Sequence, residues 1–211
     1  MNYLAHIVLS GADPQWQLGG YLGDFVKGSL DKPLLDQCGQ PWGDAVIDGI
    51  RLHRLLDAEV ETLPEYRTCV TLLGPQFRRV GGIAIDVLFD HLLVNHWHRF
   101  SDEPLPVFSR RFYRYCEAHA ERLPHRAAGF IEAAARHDLF LGYGERQTFL
   151  AVMERIERRL RYRTNLLAAA DRALQQLDQI ETQFIDIMPV LLAISARQRR
   201  QLMAARPNSG P

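Results

Sequence analysis

The sequence predicts a single all-α domain over residues 1–205, and three observations carry that reading. Apolar residues recur at the 3.6-residue period in segment after segment from Asp44 onward. Alternating apolar–polar runs are poor and β-branched content is modest, so strands find little support. The 211 residues, 47% hydrophobic and 24% charged, suffice for one packed core, and no run approaches the ~18 apolar residues a membrane span needs.

In order, residues 3–9 and 21–26 read as short helices among turns made by Gly19, Gly20, Gly23, Gly28, Pro33, Gly39, Pro41 and Gly43. Over 44–63, Val46, Ile47, Ile50, Leu52, Leu55, Leu56 and Val60 keep helical spacing, with Asp44 placed to cap. Pro64 ends or bends that helix, and a second runs over 65–73 to Gly74-Pro75. Gly81-Gly82 opens a long pattern over 83–100, closed by Pro104 and Pro106. Further helices follow over 107–123, 127–140, 145–179 (two helices or one kinked) and 184–205, with Pro189 in the first turns of the last. Residues 206–211 read as a disordered tail.

Composition narrows the function. Cys38, Cys69 and Cys116 are odd in number and form no CxxC pair, against a disulfide framework or a zinc–cysteine site. The opening Met1-Asn2-Tyr3-Leu4-Ala5-His6 lacks the basic start and apolar stretch of a secretory signal, so the expected setting is cytoplasmic. Residues 1–105 carry 8 basic and 14 acidic side chains and the remainder 17 and 11, which suggests an acidic, ligand-holding front and a basic back. Arg155, Arg158, Arg159 and Arg163 fall on one broad helical face, either solvated beside Glu154 and Glu157 or facing an acidic partner. Interleaved aromatics for stacking nucleic acid are absent there, and no membrane partner is expected. No phosphate-binding loop, nucleophile elbow or dinucleotide fingerprint appears.

Chemistry concentrates on two apolar helices. Asp86 and Asp90 share one face, four residues apart, with His91 beside them, and two like charges in an apolar segment call for a cation or a shared proton. An acidic first turn with a core histidine is the structural alternative. His53 and Asp57 stand at i and i+4, placed either to chelate a divalent ion or to form an ordinary surface pair. His6 lies in an apolar run and needs a partner, while Asp24 follows the glycines and could simply cap. Mixed Asp and His donors without Cys favour manganese, magnesium or iron, and such ions suit phosphoester hydrolysis.

These blocks in order (Asn2 to His6, Gly23-Asp24-Phe25-Val26-Lys27-Gly28, His53-Arg54-Leu55-Leu56-Asp57, Ile85 to His91, and Trp97) resemble the acyl carrier protein phosphodiesterase family. The resemblance implies a helical bundle like a rearranged His-Asp phosphohydrolase, with Asp90-His91 in reverse of the usual order. It implies hydrolysis, by a metal-activated water, of the phosphodiester joining 4′-phosphopantetheine to a serine of holo acyl carrier protein, with manganese the typical ion. Carried over by position, Asp24, His53, Asp57, Asp86, Asp90 and His91, with His6 close by, are the expected metal residues. Asp24, His53 and Asp86 are placed nearest the reaction, and Lys27 and Arg54 are phosphate contacts. The arginine face, Arg155, Arg158, Arg159 and Arg163, becomes the expected contact for the acidic carrier protein. Two other readings remain: a metal-dependent phosphohydrolase of small nucleotides, and a non-catalytic helical module binding an acidic partner.

Overall fold

The computed structural model describes residues 1–160 and 164–206, and the observed elements there are helices and short 3-10 turns. The helices are α1 (Tyr3–Leu9), α2 (Pro14–Leu22), α3 (Asp44–Val60), α4 (Pro64–Leu73), α5 (Gly81–Asn95), α6 (Leu105–Glu117), α7 (His125–His137), α8 (Leu139–Gly142), α9 (Arg146–Arg159), α10 (Leu166–Gln175) and α11 (Leu177–Ala204). No strand forms among the described residues; one isolated antiparallel bridge joins Leu35 to Pro41. The all-α expectation holds.

At the centre is α5, apolar nearly all round: Ile85, Val87, Leu88, Phe89, Leu92 and Leu93 are all buried. Helices α1, α4, α9, α10 and α11 pack around it. Amphipathic α3 buries Val46, Ile50, Leu52, Leu56 and Val60 against α2 and α11 and leaves Arg51 and Leu55 outside. Through Tyr21, whose hydroxyl donates to the Ala127 carbonyl at 2.8 Å, α2 is tied to α7.

The glycines expected in turns at 19 and 20 lie inside α2, which begins at Pro14 behind an Asp13 cap rather than at residue 21. They permit a close crossing. A Cβ on Gly19 would stand 2.2 Å from the Val46 carbonyl oxygen and 2.7 Å from Gly49 Cα, and one on Gly49 would stand 2.4 Å from the Trp16 carbonyl oxygen. Helices α2 and α3 therefore meet backbone to backbone, a contact no larger residue allows.

Other boundaries differ in smaller ways. Gly43, not Asp44, occupies the cap of α3, and the acidic side chain sits in the first turn, where the helix dipole favours it. At Asn95 α5 stops and a 3-10 turn follows over Trp97–Arg99. Pro189 falls in the middle of α11 because that helix begins seven residues earlier than its apolar pattern. Arg206, expected in the tail, is held by Asp48 at 2.7 Å and lies over the Trp16 ring. Residues 207–211 and Arg163 lie outside the described residues.

Candidate metal centre and its cleft

Two helices bring three potential ligands together. His6 comes from α1, and His53 and Asp57 come from successive turns of α3, with one ligand atom from each within 4.8 Å of the others. The imidazoles of His6 and His53 stack with centroids 3.6 Å apart and planes 21° apart. His6 Nε2 lies 3.0 Å from Asp57 Oδ1, and His53 Nε2 lies 3.3 Å from Asp57 Oδ2 and 3.9 Å from Asp24 Oδ1.

The close α2–α3 crossing sets the His53 ring. Its Nδ1 donates to the Gly20 carbonyl at 2.7 Å, which leaves the Nε2 lone pair aimed at Asp57. Gly23 makes room for that ring, since a Cβ there would stand 2.2 Å from His53 Cγ.

A divalent ion fits this donor set on two observations. First, His6 is fully buried and neither of its ring nitrogens has a hydrogen-bond partner, the Nε2 contact with Asp57 being out of line for one. Burial and the neighbouring His53 push its pKa down to about 3, so a neutral ring, with one nitrogen offering a lone pair, is held beside a carboxylate. Such a buried nitrogen costs free energy unless something accepts its electrons. Second, positive charge already gathers at the spot: the Met1 ammonium lies 3.2 Å from both Asp57 Oδ1 and Asp86 Oδ1. Burial opposes its charge, but the Asp86 and Asp57 carboxylates prevail and raise its pKa to about 10. Against burial, the adjacent imidazoles of His53 and His6 and the Met1 ammonium hold Asp57 well below the usual carboxylate range. With no cysteine among the donors, a hard or borderline divalent ion is the match.

A cleft of about 480 Å³ opens beside the cluster, lined by Met1, Asp24, Lys27, Asp86, His125 and Arg126 among others. Burial raises the pKa of Asp24, with His53 opposing and Asp57 reinforcing. Asp86 accepts a hydrogen bond from the Tyr66 hydroxyl at 2.9 Å.

The structure does not bring the other expected residues to the cluster. Both oxygens of Asp90 are occupied by the Leu4 and Ala5 amides, at 3.0 and 2.9 Å, so this carboxylate caps α1 from across the core. His91 is turned the other way, with Nδ1 on the Tyr143 carbonyl at 2.8 Å and Nε2 3.1 Å from Asn95. Arg54 directs its guanidinium to the Gly28 and Val26 carbonyls, at 2.7 and 3.1 Å, and clamps the loop that carries Asp24 and Lys27 rather than facing a phosphate. Arg158 is exposed, 3.7 Å from Glu154, while Arg155 and Arg159 turn toward a compartment adjoining the cleft. Arg126, His125 and Tyr66 were not singled out in the sequence. No spacing marks them, because His125 and Arg126 reach the site from the start of α7 and Tyr66 from α4, and only the tertiary fold brings these together with α1 and α3.

An all-α fold with a largely buried His-His-Asp cluster able to hold a divalent ion, beside a cleft of mixed charge, is consistent with a rearranged version of the helical His-Asp phosphohydrolase arrangement. The sequence model of the acyl carrier protein phosphodiesterase family matches residues 1–191, and the chain belongs to that family. Relatives bearing that name include one from Serratia proteamaculans, 35% identical over 126 residues, covering 59% of this chain and 58% of the relative. One from Pectobacterium atrosepticum is 34% identical over 127 residues, covering 60% and 62%. Against one from Klebsiella pneumoniae subsp. pneumoniae the identity is 29% over 207 residues, 94% of this chain and 100% of the relative. The chain thus spans about three fifths of the length of the first two relatives and the whole of the third. No solved structure matches it. No helix among the described residues is long and apolar enough to cross a membrane.

Proposed function

We propose that this chain hydrolyses the phosphodiester linking 4′-phosphopantetheine to the serine of holo acyl carrier protein, releasing apo carrier protein and 4′-phosphopantetheine. The observation that carries this is the His6–His53–Asp57 cluster in a member of this family. Those three side chains would hold the divalent ion; the cysteine-free donor set suits manganese, magnesium or iron, and membership of the family favours manganese. When bound, the ion supplies positive charge to a phosphoryl oxygen and makes water more acidic. Asp24, with its pKa raised by burial, takes the proton that water gives up as its oxygen bonds to phosphorus. Lys27, His125 and Arg126 face the phosphodiester oxygens from the cleft wall. The bond from phosphorus to the serine oxygen breaks, and that oxygen, on the side of phosphorus away from the water, takes its proton from solvent in the open cleft, to which Asp24 then gives up its own. Tyr66 fixes Asp86 toward the Met1 ammonium, so the second carboxylate orients the cleft's positive groups. The exposed Arg158, with Arg155 and Arg159 beside it on α9, gives the cleft a basic rim for an acidic carrier protein. The free thiols of Cys38, Cys69 and Cys116 support a reducing, cytoplasmic setting.

The test is the mass of purified holo acyl carrier protein after incubation with this protein, with manganese and with excess chelator. A loss of about 340 Da, the mass of the arm, only when metal is present is the expected result for a metal-assisted hydrolysis. An unchanged mass with manganese and magnesium both supplied overturns the proposal and directs attention to small nucleotides.

A further inference from the structure

Beyond the cleft lies a second compartment of about 310 Å³, and the two share Tyr3, Phe25 and Arg126 as a common wall. Their chemistry differs. Asp24 and Asp86 line the first, whereas no carboxylate lines the second among the described residues. The second offers the guanidinium groups of Arg126, Arg155 and Arg159, none of which has an ion pair or a side-chain hydrogen bond among the described residues. Phe25 and Phe130 supply apolar surface beside those donors. The space is thus rich in donors, poor in acceptors and lined in part by aromatic rings, at the small end of ligand pockets (~300–1,000 Å³).

One glycine on its wall points the same way. Gly129 sits in the interior of α7, where glycine costs about 1 kcal/mol relative to alanine. Packing gives no reason for it, because a Cβ there would meet nothing within 4 Å. Gly129 is exposed and lines the compartment, so a larger side chain there stands at its wall without a clash.

We propose that this second compartment receives the pantetheine portion of the arm while the phosphodiester lies in the first, and this rests on the function proposed above. Beyond its phosphate the arm carries a geminal dimethyl group, a hydroxyl, two amide carbonyls and a thiol, with no charge. The carbonyls are acceptors for arginine donors, and the dimethyl group suits the faces of Phe25 and Phe130. Arg126, on both walls, stands where phosphate gives way to arm. Arg155 and Arg159 accordingly serve the arm as well as the carrier protein's surface.

Calorimetric titration of the manganese-loaded full chain with 4′-phosphopantetheine and, separately, with inorganic phosphate tests this. The arm should bind wild type at least tenfold more tightly than phosphate, and Gly129→Phe, which fills the compartment, should bring that ratio near one. Equal affinities in wild type, or an unchanged ratio in Gly129→Phe, would overturn the proposal. If a melting curve shows Gly129→Phe unfolded, Ala133→Trp, one turn along on the same wall, applies the same test with the same two outcomes. Arg155→Ala with Arg159→Ala should also reduce the ratio. Holo carrier protein that keeps its mass while the arm still binds in a manner dependent on Gly129 would refute the proposed reaction and support the compartment.

Discussion

Replacing Gly23 by alanine tests whether the close approach of α2 and α3 builds the candidate metal site. Backbone angles at Gly23 are ordinary helical ones (φ −52°, ψ −36°), so conformation alone welcomes alanine, and helix propensity favours it by up to about 1 kcal/mol. The obstacle is the His53 ring, with Cγ, Cδ2 and Nδ1 at 2.2, 2.5 and 2.6 Å from where the Cβ must go. Carbon atoms want roughly 3.5–4.0 Å, so the ring has to move by more than about 1 Å. Overpacking of that kind costs about 1–3 kcal/mol. Losing the buried bond from Nδ1 to the Gly20 carbonyl adds about 1–3 kcal/mol. Set against the propensity gain, the net is about 1–5 kcal/mol, which in a chain of this length lowers Tm by about 2–20 °C. Manganese affinity, read by calorimetry, should fall about 10–100-fold, as when the support of a ligating histidine is lost. Thermal melts followed by far-ultraviolet circular dichroism provide the stability arm. A variant that melts at or above wild type and binds manganese equally well would refute the reasoning, because the ring could not then lie against Gly23.

Four further expectations rest on other contacts. Gly49→Ala pushes α3 off the Trp16 carbonyl, and Tm should drop by several degrees with loss of manganese binding; a melt matching wild type would exclude the tight crossing. Arg54→Ala releases the loop carbonyls of Val26 and Gly28, so amides over 24–28 should exchange hydrogen faster and KM should rise several-fold with Tm nearly kept, whereas unchanged exchange would remove the clamp. Against the effect of burial, Arg122 and the Gln40 and Cys38 amides hold the Asp36 pKa below its ordinary value. Its stabilisation is therefore present above about pH 4 and lost as pH falls further, so Asp36→Asn should show a shallower acid decline in urea midpoints than wild type, and parallel declines would count against the contact. Arg158→Glu should lower kcat/KM for holo carrier protein and weaken its salt dependence, and a salt profile identical to wild type would take Arg158 out of docking.

The sequence made some of this legible and hid the rest for physical reasons. Spacing of four within a helix fixes a shared face, so His53 and Asp57 could be read as a pair without coordinates. The same rule placed Asp86 and Asp90 together, but periodicity cannot say what that face meets. For Asp90 it meets the amide end of α1, and for Asp86 the cleft. His6 was noticeable as a polar residue in an apolar run, although its stacking on His53 depends on α1 and α3 converging. Glycines at 19, 20 and 23 carry two meanings, turn or close helix contact, and only the neighbouring helix decides between them. The arginines of α9 likewise share a face by spacing, yet the tertiary fold divides them between solvent and a compartment wall.

The residues of the metal cluster all lie within the first sixty positions, but their support arrives last. Helix α11 packs along α3 and α4, Ser195 on it donates to the Leu9 carbonyl at the end of α1, and Arg206 just beyond it pairs with Asp48 of α3. Until α11 is made, the faces of α1 and α3 that it covers stay exposed. During that interval the front helices are a natural client for a chaperone. The candidate cluster on α1 and α3 is therefore braced by contacts of high sequence separation from α11, so its geometry depends on a helix far from it along the chain.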